Sequence, residues 1–160
     1  MNGEKTEPIV TIGIPAYNGE KTITRTIDSI LSQTILNFKL VISDDGSTDS
    51  TPKICCEYEQ RDSRIKYIQQ NKNKGWIKNW TFLAENSDTK YFVWISDDDY
   101  WEPQFLEKNI EVLETNPKIV GSISNVQLVG PNIKNYYPNQ KEINSTESNY
   151  IKKIVSKTFL

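Results

Sequence analysis

Apolar residues recur along this chain with two alternating periods. Ile9-Val10-Thr11-Ile12-Gly13-Ile14-Pro15 is nearly apolar throughout, the pattern of a central strand buried on both faces. Ile23, Ile27, Ile30 and Leu31 then fall at i, i+4, i+7 and i+8, one stripe of an amphipathic helix, with Asn18-Gly19 as the turn before it. Phe38 to Ser43 reads as a second strand. Thr51-Pro52 opens a helix with Pro in its first turn, and Ile54, Cys55 and Tyr58 face inward. Arg64 to Gln69 is a third strand. Trp76, Ile77, Trp80, Leu83 and Ala84 make another helical stripe, with Trp76 and Trp80 in the core. Tyr91 to Ile95 is a fourth apolar strand. Pro103 opens a helix to about Glu114, with Leu106, Ile110 and Leu113 on one side.

The remainder is less regular. Ile119 to Val129 reads as a strand bent at Gly121, and Pro131 to Asn144 as a loop rich in Asn, Pro and Tyr. Thr146 would cap a last helix with Tyr150, Ile151, Ile154 and Val155 inward. Strands alternating with helices predict an α/β fold: a Rossmann-like, mostly parallel sheet with helices on both faces. Residues 1–8 read as a disordered lead-in, 9–130 as the folded domain, and 131–160 as a loop and helix beginning a further region. Ligands of such sheets bind outside the carboxyl ends of the strands.

Composition narrows the classes. At 160 residues the chain suits one domain with a real core. A net charge of -2 with 25% charged residues lacks the basic face of a nucleic-acid binder. No apolar run approaches a membrane span, Met1 to Pro8 is polar, and membrane contact is not indicated by this segment. The adjacent Cys55 and Cys56 fit a reduced, cytoplasmic setting, at the inner face of the membrane for a longer protein. The chain has no histidine, which excludes Ser-His-Asp and Cys-His catalysis within it and any zinc site with His ligands.

Two acidic clusters carry the candidate chemistry, each at the end of an apolar strand. Asp44-Asp45-Gly46-Ser47-Thr48-Asp49 follows Leu40-Val41-Ile42-Ser43. Turn formation and helix capping account for Ser47, Thr48 and Asp49, but one capping carboxylate would suffice. Asp44 or Asp45 therefore reads either as part of the turn or as an acceptor for a base N–H or ribose hydroxyls. Asp97-Asp98-Asp99 follows Tyr91-Phe92-Val93-Trp94-Ile95-Ser96. A helix dipole favours acidic residues there, yet three in a row exceed what a dipole needs. Crowded carboxylates repel, and a hard divalent cation carrying phosphates relieves them. Asp97 and Asp99 have the D-x-D spacing for Mg²⁺ or Mn²⁺ on a diphosphate. At the first strand end, Pro15-Ala16-Tyr17-Asn18 reads as a plain turn or as a border for a base. Lys74 or Lys78, near Gly75, reads as a solvated lysine or as a partner for phosphate.

Taken together, "TIGIPAYNGEKTITRTIDSILSQT", "LVISDDGSTDST", "NKGWIKNW" and "YFVWISDDDYWEP" resemble the family 2 glycosyltransferases, an inverting group with the GT-A fold. The likeness covers about residues 9–116. It implies a nucleotide-diphosphate-sugar donor, usually a UDP-sugar, with Mg²⁺ or Mn²⁺ as cofactor. It also implies a glycan or other hydroxyl acceptor, as in polysaccharide biosynthesis. By position, Pro15, Tyr17 and Asn18 would line the base, Asp44 or Asp45 would contact uracil or ribose, Lys78 would lie toward phosphate, and Asp97, Asp98 and Asp99 would hold donor sugar and metal. Many members read D-x-D-D where this chain has Ser96-Asp97-Asp98-Asp99, so the first aspartate falls on Ser96 and the metal ligand is Asp98 or Asp99. Many also carry Arg where Lys78-Asn79-Trp80 stands. The family's catalytic base, an Asp or Glu of the acceptor segment, would fall beyond Leu160; Glu142 and Glu147 are the late carboxylates here, and neither sits in a recognisable base motif.

Three other readings compete with this one. A sugar nucleotidyltransferase would show a Gly-rich phosphate loop after the first strand, where Pro15-Ala16-Tyr17-Asn18-Gly19 has one glycine. A receiver domain would place its acidic pair after the first strand rather than the second. A fragment that binds nucleotide-sugar without catalysis fits residues 1–160 taken alone.

Overall fold

β1 (Val10–Ala16) forms the centre of the sheet because both its faces are apolar and both its edges are paired. It runs parallel to β2 (Phe38–Asp44) on one side and to β4 (Tyr91–Trp94) on the other. β3 (Ile65–Gln69) extends the parallel set beyond β2. The computed structural model describes residues 7–116, 118–124 and 153–156. Among them the sheet has six strands in the order β3-β2-β1-β4-β6-β5, with β5 at Gly121–Ile123 and β6 at Lys153–Ser156.

The period of two along each strand divides the core. Val10, Ile12 and Ile14 of β1, Leu40 and Ile42 of β2, and Tyr91 and Val93 of β4 share one face. That face buries Ile23, Ile27 and Ile30 of α1 (Ile23–Leu31), Cys55 of α2 (Thr51–Arg61), and Leu106, Ile110 and Leu113 of α4 (Phe105–Thr115). The opposite face carries α3 (Trp76–Glu85). There Gly13 leaves room for Phe92 and Leu83, which come within 3.0–3.2 Å of where its β-carbon would stand. Helices on both faces of a mostly parallel sheet are as the alternation of patterns predicts.

Two expectations fail. The helix predicted over Ile151, Ile154 and Val155 is, over 153–156, strand β6, antiparallel to both β4 and β5. Ile and Val are β-branched and suit a pleated surface, and without β6 the outer edge of β4 would present unpaired main-chain groups. A short apolar run does not distinguish the two periods. The predicted strand from Ile119 to Val129 is present as β5; its part past residue 124, the loop 131–144, the cap at Thr146, and Glu142 and Glu147 lie outside the described residues, as does the lead-in up to residue 6.

The second failure is Trp76. It is 73% exposed and Ile77 61%, whereas Leu83 is buried and Trp80 half-buried against Trp94. The inward positions of α3 are Asn79 and Leu83. The loop into α3 is held by Asp45, just past the end of β2, and the helix turns Asn79 and Leu83 inward rather than Trp76. Leu83→Ala should therefore cost about 2–5 kcal/mol of stability, whereas Trp76→Ser should stay within about 0.5 kcal/mol. Urea unfolding midpoints of the two variants against the unsubstituted chain check this, and equal losses would return Trp76 to the core.

Candidate functional site

Because β1, β2 and β4 are parallel, the chain leaves all three at the same edge of the sheet. Residues 17–22, 45–50 and 95–104 are thereby brought side by side. Hydrogen bonds join these loops to one another. The Asn18 amide donates to Ser47 Oγ at 2.8 Å, and Asn18 Oδ1 accepts from the Thr48 amide at 2.8 Å. The Gly19 amide donates to Thr51 Oγ1 at 2.9 Å. Glu20 and Asp49 cross over: the Glu20 amide donates to Asp49 Oδ2, and Glu20 Oε2 accepts from the Ser50 amide. Asn18 adopts φ 52°, a left-handed conformation that asparagine tolerates better than most residues.

The adjacent aspartates at the end of β2 point to opposite sides, because successive strand residues alternate. Asp44 is fully buried on the α1–α2 side. Its Oδ1 accepts from the amide and hydroxyl of Ser47, and its Oδ2 accepts from Tyr67 Oη at 2.7 Å. Burial first, and then the bond to Asp44, push the Tyr67 phenol far above its ordinary range, so it stays protonated and donating. Asp45, 3% exposed, faces the α3 side. Its two oxygens accept from the Lys74 amide at 2.8 Å and the Gly75 amide at 2.9 Å, which anchors the loop leading into α3. Gly75 there has φ 90°, outside the range of most residues with a side chain. On the same side, buried Asn79 donates through Nδ2 to the Ser43 carbonyl at 2.7 Å and accepts from Ser43 Oγ at 2.6 Å.

Asp97, Asp98 and Asp99 form a turn closed by the Asp99 amide donating to the Ser96 carbonyl at 3.2 Å. Asp97 Oδ2 accepts from the Tyr17 amide at 3.2 Å, bringing the first and third loops together. A β-carbon on Gly19 would stand 2.6 Å from that same oxygen, so only glycine lets the strand β1 loop approach so closely. Burial raises the Asp97 pKa above the usual carboxylate range; the Tyr17 amide opposes the rise, and the charges of Asp98 and Asp49 add to it. Asp98 is exposed and Asp99 half-buried. Among the described residues no three carboxylate or thiol side chains converge as a ready-made cation cage.

Of the residues singled out from sequence, Pro15, Tyr17, Asn18, Asp44, Asp45, Asp97, Asp98 and Asp99 are gathered at this one edge. Tyr17 is 49% exposed beside the acidic turn. Lys78 is exposed on α3 and lines, with Gln70, Lys74, Ile77, Asn79 and Phe82 among others, an open depression of about 310 Å³. That depression adjoins the loop held by Asp45 and does not include the Asp97–Asp99 turn. Cys55 is no nucleophile: burial, then the negative charge of Asp44, push its thiol up to about 12.

Sequence reasoning missed Thr26, Asn79 and Tyr67. Thr26 and Asn79 occupy inward positions of their helices among apolar neighbours, where a polar residue needs a buried partner; that was the available signal. Tyr67→Phe leaves Asp44 Oδ2 buried without its donor and should cost about 1–3 kcal/mol of stability. Thermal and urea unfolding measure it, and an unchanged midpoint would show that the hydroxyl contributes nothing.

The sequence pattern of "Glycosyl transferase family 2" matches residues 11–158. An uncharacterized glycosyltransferase of Haemophilus influenzae is 34% identical over 122 residues, covering 76% of this chain and 38% of that protein. The Escherichia coli UDP-Glc:alpha-D-GlcNAc-diphosphoundecaprenol beta-1,3-glucosyltransferase WfaP is 37% identical over 117 residues, covering 73% of this chain and 45% of that one. The chain thus spans less than half the length of these two relatives. Among solved structures, S. aureus TarS 1-349 in complex with UDP is 26% identical with a TM-score of 0.62, over 66% of this chain and 32% of that one. The mannosyltransferase PcManGT from Pyrobaculum calidifontis, in complex with GDP-Man and Mn2+, shares the fold at 20% identity and a TM-score of 0.66, over 77% of this chain and 36% of that one. With a family match over residues 11–158 laid over a GT-A-type sheet and its cluster of strand-end loops, the chain belongs to glycosyl transferase family 2.

Proposed function

We propose that this chain binds the nucleotide-diphosphate-sugar donor of a glycosyltransferase, with a UDP-sugar as donor, and that the reaction transfers the sugar to an acceptor hydroxyl with inversion. The observation that carries the reading is the joining of the three strand-end loops into one edge, with Tyr17 and Asp97 in contact and Asp98 exposed beside them. The named donor of WfaP and the UDP bound to TarS support the choice of nucleotide.

Within this reading Pro15, Tyr17 and Asn18 border the base. A carboxylate offers about four lone-pair positions. Asp44 already accepts three hydrogen bonds and is sealed by Tyr67 and Ser47, whereas Asp45 accepts two from the Lys74 and Gly75 amides. Asp45 is therefore the better placed to accept from a base N–H or a ribose hydroxyl, and Asp44 to shape the loop. Lys78 lies toward the phosphates from α3, across the loop that Asp45 holds.

Asp98 and Asp99 present hard oxygen donors suited to Mg²⁺ or Mn²⁺, and two carboxylates completed by substrate phosphates are a common shell for such ions. When bound, the cation supplies Lewis-acid stabilisation of the departing diphosphate. In the transfer itself a general base takes the acceptor hydroxyl proton, the oxygen bonds to the anomeric carbon from the face opposite the diphosphate, and the bond to the diphosphate oxygen breaks. The chain's own residues orient the donor and exclude it from other geometries; no protein nucleophile is required. The two free thiols, Cys55 and Cys56, favour a cytoplasmic site of action. No helix among the described residues is long and apolar enough to cross a membrane.

Titration with UDP, ADP and uridine, in Mn²⁺ and in EDTA, tests the reading. UDP should bind more tightly than ADP, and Mn²⁺ should tighten UDP but not uridine. Asp45→Ala should weaken uridine and UDP alike by about tenfold to a hundredfold, the worth of a charge-assisted hydrogen bond. Asp99→Ala should remove only the Mn²⁺-dependent part. Equal UDP affinity in Mn²⁺ and EDTA would overturn the cation reading, and preference for ADP would overturn the donor.

A further inference from the structure

One side of α1 runs alongside the acidic turn and the segment that follows it, and it makes a polar contact at each turn of the helix. Thr26, fully buried, donates its single hydroxyl hydrogen between the carbonyl oxygens of Asp97, at 3.0 Å, and Asp99, at 2.6 Å. The exposed Arg25 guanidinium donates to the Asp98 carbonyl at 2.8 Å and lies 4.8 Å from the centre of the Tyr100 ring. One turn later Ser29 Oγ accepts from the Trp101 amide at 3.2 Å. Two residues past the end of α1, Gln33 donates to the Glu102 carbonyl at 2.8 Å and accepts from the Leu106 amide at 3.0 Å, which fixes the start of α4. Positions 26 and 29 lie on one side of α1 and Gln33 follows just past its end, so the helix and its C-terminal exit together contact the segment at successive points.

The contacts to the three aspartates fall on main-chain oxygens. They set the backbone of the turn without drawing on any carboxylate. Three consecutive aspartates repel one another, and the contacts from Thr26 and Arg25 add to the Asp99–Ser96 and Tyr17–Asp97 bonds in holding the turn against that repulsion. We infer that Arg25 and Thr26 are positioning residues for the acidic turn: they hold Asp98 and Asp99 at the spacing that a divalent cation and a diphosphate require. The inference rests on the donor-binding reading above. Partners that orient metal-binding groups typically change cation affinity by about 10–100-fold when removed.

The experiment compares Thr26→Val, Thr26→Ser and Arg25→Met with the unsubstituted chain, by calorimetric titration of UDP in Mn²⁺ and in EDTA and of uridine alone. Thr26→Val keeps the shape and removes the hydroxyl. It should lose about 10–100-fold of the Mn²⁺-dependent gain in UDP affinity while uridine binding is unchanged, and Thr26→Ser should recover most of that gain. Arg25→Met separates position from charge. Removing a cation beside three carboxylates would by Coulomb attraction alone strengthen Mn²⁺ binding, so a loss in Arg25→Met supports the inference and a gain overturns it. A folded Thr26→Val that keeps the full Mn²⁺ effect also overturns it, as does loss of uridine binding in step with UDP, which marks general damage to the domain. If Thr26→Val does not fold, Arg25→Met, altered only at an exposed side chain, decides. Absence of any Mn²⁺ effect in the unsubstituted chain removes the cation reading and this inference together; a normal effect there with insensitive variants removes this inference alone.

Discussion

The parallel pairing of β1 with both β2 and β4 is the constraint from which the rest follows. Parallel strands must be joined by crossovers, so each strand's exit loop comes out on the same edge. In this chain every one of those exits is polar or acidic. The edge therefore gathers Asn18, Glu20, Asp44, Asp45, Asp49 and Asp97 within one small region, and the sheet cannot form without bringing them together. The opposite requirement, a dry interior, is met one or two residues before the end of each strand, where Ile14, Ile42 and Val93 are fully buried.

Such crowding is tolerated because the carboxylates are met by main-chain amides and neutral hydroxyls rather than by cations. Asp44 is satisfied by Ser47 and Tyr67, Asp45 by two amides of the loop before α3, Asp49 by the Glu20 and Thr51 amides, and Asp97 by the Tyr17 amide. The described ion pairs, such as Lys39–Asp88 and Lys90–Glu114, lie away from this edge. Amide donors come with fixed directions, so each bond also sets the path of the loop that supplies it. The same interactions that satisfy the carboxylates of the edge thereby shape it.

The adjacency of Asp44 and Asp45 illustrates how the two sides of the sheet are coupled. Strand alternation sends one carboxylate to each face. Asp44 ties β2 to β3 and to the loop that leads to α2; Asp45, with Ser43 below it, ties β2 to the entry and first turn of α3 through Lys74, Gly75 and Asn79. A doublet of acids that looks redundant in one dimension is two separate anchors in three. On the far side of the edge α1 and the residues just after it play the corresponding part, binding the 97–106 segment through Thr26, Ser29 and Gln33.

The amino-acid sequence by itself determined the order β-α-β-α-β-α-β-α, because long runs such as Ile9 to Pro15 and the Ile23–Ile27–Ile30 stripe admit only one period. It also determined that acidic residues stand at two strand ends, since a strand's end is where its apolar run stops. What it left open depended on contacts distant along the chain. Whether Trp76 is buried turned on which side of α3 the tertiary contacts turn inward, the side of Asn79 and Leu83, and its spacing matches the stripe regardless. Whether 153–156 is helix or strand turned on the vacant edge of β4, more than fifty residues away in sequence. The partners of Asp44, Asp45 and Asp97 were likewise decided only by tertiary structure: Tyr67, Gly75 and Tyr17 are distant in sequence, and hydrogen-bond direction is a property of the folded backbone, not of residue type.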